Sequence, residues 1–361
     1  MNSADSFSSD FAIARGKFRD AARRAGGQSD SVAHPERGPD GGELSTDIAW
    51  FGPRSSPAVL VMVSATHGVE GFCGSGAQVD WLQRGEASRL PSGVAVLMIH
   101  AVNPFGFAWL RRVTEDNVDL NRNWIDFTQP RPSNSAYLAL SEAICPAEWT
   151  DEARSAADRV LTAFAAEHGF PSLQQAITGG QYSHPTGLFY GGEAATWSRR
   201  TQSDILRQYL SEAGKVVVID YHTGLGDWGY GEQILTDRKG SAAYARAAGW
   251  WGAAITSPAD GTSSSADITG DNLGALGGLL PQAEVTGMAL EFGTRSLIDV
   301  LTALRADAWL HAHGDLDSAQ GRAIKAQVRD AFYGDADDWK GMVAGQCLLA
   351  TRQAIKGIAT A

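Results

Sequence analysis

Val61-Met62-Val63-Ser64-Ala65-Thr66-His67-Gly68-Val69-Glu70 is the stretch on which the reading of this chain turns. An apolar run of strand length stops at a histidine, and a glutamate follows three positions later. A strand ending there sets an imidazole and a carboxylate side by side at its C-terminal edge. In open α/β sheets that edge is where ligands bind. Imidazole and carboxylate are also components of the two-histidine, one-glutamate set that holds a catalytic zinc.

Two later segments end in the same way. Lys215-Val216-Val217-Val218-Ile219-Asp220-Tyr221 reads as a buried strand that runs into His222, and Met288-Ala289-Leu290-Glu291-Phe292-Gly293 reads as a strand carrying a carboxylate near its end. Two neutral imidazoles and one carboxylate suit Zn2+ and leave a coordination position for water. His67, Glu70 and His222 are therefore the candidate metal ligands. A further carboxylate that does not bind the metal can take a proton from the water and pass it to a leaving group, and Glu291 fits that task by position. Asp220, two residues before His222, shares its face of the strand. It suits either a carboxylate that orients this histidine or an ordinary buried ion pair.

Around these segments, the pattern alternates strands with helices and so predicts a layered α/β fold. Helical periodicity covers residues 6–25, 74–83, 149–169, 202–213, 296–306, 319–332 and 339–358, and strand-like runs occupy 48–51, 58–64 and 94–100. The polar Gly/Ser/Pro stretch up to Leu44 carries no periodic signal, and residues 261–280, rich in Gly and Ser, read as a long loop. No internal repeat or domain boundary is visible, which predicts one catalytic domain over 1–361. His34, His168, His311 and His313 read as surface residues, whereas His100, at a strand end, and His184 are within reach of the site.

The 361 residues are 43% hydrophobic and 20% charged, enough for a sizeable core, and the formal net charge of −11 argues against a nucleic-acid surface. Cys73, Cys145 and Cys347 lie far apart with no CxxC pair, which predicts reduced thiols and a cytoplasmic location. The first residues lack the basic-then-apolar order of a signal peptide, and no apolar run is long enough to span a bilayer. No membrane partner is expected.

A second cluster runs from Asn103-Pro104-Phe105-Gly106 through Arg111-Arg112 to Asn117-Val118-Asp119-Leu120-Asn121-Arg122-Asn123-Trp124. Arginine can grip a carboxylate with two parallel hydrogen bonds, asparagine can orient it, and an arginine near the metal can stabilise an oxyanion. With this cluster added, the order HxxE, NPxG, Arg, VDLNRN, strand-end His and strand-borne Glu resembles the zinc metallocarboxypeptidase superfamily. The likeness runs over about residues 58–294, and the spacing from Arg112 to Arg122 is similar to that of its regulatory-type branch. The resemblance implies a three-layer α/β/α fold with a mixed, mostly parallel eight-stranded sheet. It implies one zinc held by His67, Glu70 and His222, Arg112 at the oxyanion, Asn121 and Arg122 on the substrate carboxylate, and Glu291 as base and acid. Arg111, adjacent to Arg112, competes for its role.

The chain departs from the digestive members of that superfamily in two places. No tyrosine lies between Gly261 and Leu290, where those enzymes carry one that caps the substrate; Tyr190 and Tyr230 are possible substitutes. An inserted region occupies about 125–214, including Gly179-Gly180-Gln181-Tyr182 and Pro185-Thr186-Gly187-Leu188-Phe189-Tyr190-Gly191-Gly192. This text, with Asp220-Tyr221-His222-Thr223-Gly224, resembles a bacterial branch of unknown function. The chemical core is also similar to that of aspartoacylase and succinylglutamate desuccinylase. The expected activity is hydrolysis of an amide bond next to a free carboxylate, on a small peptide or, as an alternative, an N-acyl amino acid. A non-catalytic binding protein on the same scaffold is the reading from another class.

Overall fold

A computed structural model of the chain describes residues 2–360. Its centre is one eight-stranded sheet: β1 (Gln28–Arg37), β2 (Glu43–Phe51), β3 (Ala58–Val63), β4 (Val94–His100), β5 (Lys215–Trp228), β6 (Gly231–Ile234), β7 (Ile255–Thr256) and β8 (Glu284–Gly293). The order across the sheet is β1-β2-β4-β3-β5-β8-β6-β7. The central pairs β4–β3, β3–β5 and β5–β8 and the edge pair β6–β7 are parallel, and the other three are antiparallel. The sheet is thus mixed and mostly parallel.

The central strands are apolar on both faces because both faces are covered. Along β3, Leu60 and Met62 join one core while Val59, Val61 and Val63 join the other. The first core packs against helices Phe11–Arg24, Gly71–Gln83 and Asp337–Thr360, and the second against helices Trp197–Leu210 and Asn272–Leu279. Three layers result, with the helices closing a sheet that would otherwise expose two apolar surfaces. The inserted region carries four helices, Ser135–Ile144, Asp151–His168, Phe170–Thr178 and Trp197–Leu210. Among the described residues, no helix is long and apolar enough to cross a membrane.

Several expectations are corrected. The polar stretch before Leu44 contains a ten-residue strand, β1, which lies at the sheet edge with nearly every residue exposed. Its charges and Pro35 suit an edge that must not recruit another strand, and they erase the apolar alternation that marks inner strands. The expected loop 261–280 contains helix Asn272–Leu279, capped by Asp271, whose Oδ1 accepts from Gly274 N at 2.7 Å. Three glycines in that helix hid it. His34 is buried against Trp197, with ring centroids 4.4 Å apart, instead of lying on the surface.

Candidate metal centre

Backbone contacts assemble the site before any side chain does. The turn after β3 is locked to the Arg111–Arg112 segment, since Gly68 N donates to Arg112 O at 3.0 Å and Val69 N to Arg111 O at 2.8 Å. Gly68 allows this approach: a Cβ there would lie 2.1 Å from the carbonyl carbon of Gly106. His67 and Glu70 thereby face Arg112, although more than forty residues separate them along the chain. On the next strands, His222 of β5 pairs directly with Glu291 of β8 in the parallel ladder.

The ligand atoms of His67, Glu70 and His222 lie within 4.8 Å of one another, and all three residues are buried. His67 Nδ1 is 3.0 Å from Glu70 Oε1, His222 Nδ1 is 2.9 Å from Glu70 Oε2, and the two Nδ1 atoms are 3.2 Å apart. Both imidazoles therefore turn Nδ1 toward one point. Their Nε2 atoms each meet a carboxylate, His67 with Asp119 Oδ1 at 3.2 Å and His222 with Asp220 Oδ2 at 3.0 Å. At His222 this pairing favours the tautomer that leaves Nδ1 free to bind a metal, while His67 Nε2 lies between Asp119 and Arg112 Nη2, the latter at 2.9 Å. Asp220 is itself held by Thr66 Oγ1 at 2.9 Å and Asn272 Nδ2 at 2.8 Å.

The chemistry of this donor set fits a divalent cation. Glu70, Asp119, Asp220 and Glu291 are four buried carboxylates, against the two guanidinium groups of Arg112 and Arg122. When all are ionised, an excess of two negative charges is left in a region that water cannot screen, and a dication cancels it. Glu291 accepts one hydrogen bond, from Leu225 N at 3.1 Å. Burial and then the neighbouring negative charge of Glu70 push its carboxyl up to about 8. Burial likewise opposes the charge of Glu70, but His67, His222 and Arg112 outweigh it and hold Glu70 well below the usual carboxylate range. Two carboxylates of the same site are thus driven in opposite directions, the arrangement that separates a permanent anion from a proton carrier.

The centre opens into a cleft of about 1280 Å³, the solvent at its mouth included. His67, Arg112, Asn121, Arg122, His222 and Glu291 all line it. Arg112 spans Asp119, through Nε at 3.0 Å, and Glu70, through Nη1 at 2.8 Å. Arg122 donates from Nε and Nη2 to Thr178 O and from Nη1 to Asn121 O, which leaves N–H groups on its Nη atoms for a ligand. Both guanidinium groups lie near the ring of Phe189, at 5.4 and 5.3 Å from its centroid.

Three expected substrate contacts are absent from the cleft lining. Arg111 turns away to bind Asp307 Oδ2 at 2.9 Å and Asn117 Oδ1 at 2.8 Å. Tyr190 is buried, with its carbonyl accepting from Asp119 N at 2.8 Å, and Tyr230 stands half exposed in the turn between β5 and β6. No tyrosine is among the described residues that line the cleft. His100 is also removed, stacked on Phe18 and bonded to Ser75 Oγ at 2.9 Å, and His184 pairs with Ser183 outside the cleft. Asp119 and Asn272 are the residues whose part sequence reasoning missed. Asp119 stood within the quoted VDLNRN segment, and its place between two wanted residues was the available signal. Nothing around Asn272 marked it.

Residues 7–346 match the model of a family described as "Protein of unknown function (DUF2817)". No match was found among curated proteins. Among solved structures, thrombin-activatable fibrinolysis inhibitor aligns over 97% of this chain and 74% of its own, with 10% identity and TM-score 0.52. The bovine inhibitor in complex with tick carboxypeptidase inhibitor aligns over 98% and 97%, with 10% identity and TM-score 0.48. Carboxypeptidase A of Helicoverpa armigera aligns over 90% and 74%, with 12% identity and TM-score 0.46. The chain has a carboxypeptidase-like α/β fold.

Proposed function

We infer that this chain, which belongs to the DUF2817 family, is a zinc-dependent hydrolase that cuts an amide bond next to a free carboxylate. The observation that carries the reading is the convergence of His67 Nδ1, Glu70 and His222 Nδ1, with Glu291 beside them in register and not engaged in the cluster. Those three residues would hold a zinc ion, which would supply Lewis acidity toward the scissile carbonyl and lower the pKa of an attacking water.

The protein's own groups account for the rest. Glu291 takes a proton from the water as the water oxygen bonds to the carbonyl carbon. Its raised proton affinity suits it to hold that proton at a carboxylate oxygen and deliver it to the leaving nitrogen. The C–N bond then breaks to give a carboxylic acid and a free amine. Arg112, fixed by Asp119 and Glu70, supports the oxygen of the attacked carbonyl. Asn121 and Arg122 hold the substrate carboxylate, and the backbone anchors on Arg122 set the distance from that carboxylate to the bond cut. Burial of the cluster keeps bulk water from competing with these contacts.

The experiment pairs metal content with turnover. Purified chain should carry about one zinc, and a panel of carboxypeptidase dipeptides and N-acyl amino acids should be hydrolysed in a manner abolished by Glu291→Gln with zinc retained. Zinc-loaded protein that hydrolyses neither class would leave the non-catalytic alternative standing.

A further inference from the structure

The cleft is not uniformly lined. Near Arg122 the wall mixes hydrogen-bonding groups with the apolar side chains Leu173, Ile177 and Phe189: Thr178 O accepts from Arg122, Asn121 Oδ1 accepts from Asn272 N at 3.2 Å, and Gln174 Nε2 donates to Ser264 O at 3.2 Å. On the Glu291 side the lining changes character. Leu225, whose N–H binds Glu291, is joined there by Leu297, Ile298, Leu301 and Leu304 of helix Leu297–His313. The segment that follows His222 packs directly on this wall, since a Cβ at Gly224 would meet Phe332 at 3.0 Å and Val300 at 3.7 Å. No side chain among these seven can donate or accept a conventional hydrogen bond. Ile298 is 71% exposed although it lines the cleft, which puts a large apolar side chain at the rim.

From this apolar wall beyond Glu291 we propose that the half of the substrate lying beyond the scissile carbonyl, away from the carboxylate, is a long aliphatic acyl chain. The substrate class is N-acyl amino acids with medium or long acyl groups. The inference rests on the proposed hydrolase reading, because Arg122 and Glu291 define the two ends of the substrate. A peptide extended along the apolar wall would bring its N–H and C=O groups against side chains that cannot satisfy them, which disfavours it. An alkyl chain has no such groups, and each methylene moved from water to the wall favours binding by about threefold to fourfold. The exposed Ile298 then acquires a reason: it extends the apolar surface to where a long chain leaves the cleft.

The test measures binding and turnover on the full chain loaded with zinc. Binding of N-acetyl-, N-octanoyl- and N-dodecanoyl-leucine to the Glu291→Gln variant is followed by calorimetry. Affinity should rise at least about 30-fold from acetyl to dodecanoyl, and Leu301→Glu in the same background should shrink that ratio to within about threefold while zinc content and circular dichroism stay as they were. Ile298→Glu, at the rim, should lower the dodecanoyl-to-octanoyl ratio and leave the fold intact. A flat affinity series overturns the proposal. Turnover separates the two readings: hydrolysis of acetyl substrates or dipeptides with a flat series removes the acyl-chain inference alone. A steep series with no hydrolysis by the wild type removes the hydrolase reading and leaves the apolar ligand.

Discussion

His222 and Glu291 face each other across the parallel ladder between β5 and β8 and yet belong to different chemical units. His222 directs Nδ1 into the cluster with His67 and Glu70, whereas Glu291, among the described residues, accepts only the backbone N–H of Leu225. Register alone therefore puts the proposed metal ligand His222 and the proposed proton carrier Glu291 one strand spacing apart. Glu291→Gln should keep the zinc and lower kcat by about 10²–10⁴-fold. Steady-state kinetics with parallel metal analysis checks this, and a variant of near wild-type turnover would remove Glu291 from the mechanism.

Asp119 and Asp220 back the two imidazoles from outside the cluster. Asp220→Asn should weaken zinc binding about 10–100-fold without removing a ligand. Competition with a chelator of known affinity gives the number. Asp119→Asn should do the same and, because Asp119 also holds Arg112, should depress kcat at saturating zinc. Equal behaviour of the two variants at saturating zinc would deny Arg112 its role.

Arg122 is assigned to the substrate carboxylate. Arg122→Ala should raise KM about 10–100-fold for substrates with a free carboxylate, the size of a lost charge-assisted hydrogen bond. It should change little for the corresponding carboxamides. A uniform loss on both substrates would mean that the arginine supports the fold through Thr178 instead.

Gly68 marks the closest approach of two backbone segments at the site. Gly68→Ala forces a methyl group into the carbonyl of Gly106, and overpacking of this kind costs about 1–3 kcal/mol. Lower thermal stability is expected together with weaker zinc retention, because the same turn carries His67. An unchanged melting temperature would mean that the segment beginning at Asn103 yields.

The acid side of the stability profile should involve His311. Burial, and next the charge of Arg111, hold its imidazole down to about 3 from an ordinary 6.5. Between those values the unfolded chain binds a proton that the folded chain refuses, so stability must fall as pH drops from about 6.5 toward 3. Asp307 lies beside it, lowered to about 2 because Lys325 and Arg111 outweigh its burial, and it supports the fold above its ordinary 3.8. Urea melts of His311→Gln should show a shallower decline between pH 7 and 4 than the wild type. Identical slopes would count against His311 as the source.

What could be read from the sequence was whatever apolar runs announce. β3, β4, β5 and β8 are buried on both faces, so their composition alone marks them, and the ends of β3, β5 and β8 then supply His67, His222 and Glu291. β1 escaped because an exposed edge strand has no apolar face, and helix Asn272–Leu279 because its glycines imitate a loop. Arg111 was misjudged for a different reason. Nothing local distinguishes it from Arg112, and the partner that decides its direction, Asp307, is 196 residues away. Asn272 is the same case, since its contact with Asp220 spans 52 residues.

The carbonyl of Thr178 ends a helix of the inserted region and grips Arg122, while Leu173 and Ile177 of that helix line the cleft. Anchor and wall are mechanically one piece. Any sequence change that shifts this helix to admit a different side chain also moves the guanidinium assigned above to the substrate carboxylate. On the proposed reading, selectivity for the amine half and cleavage position drift together, whereas the acyl half, which the proposal puts on helix Leu297–His313, is free to diversify separately.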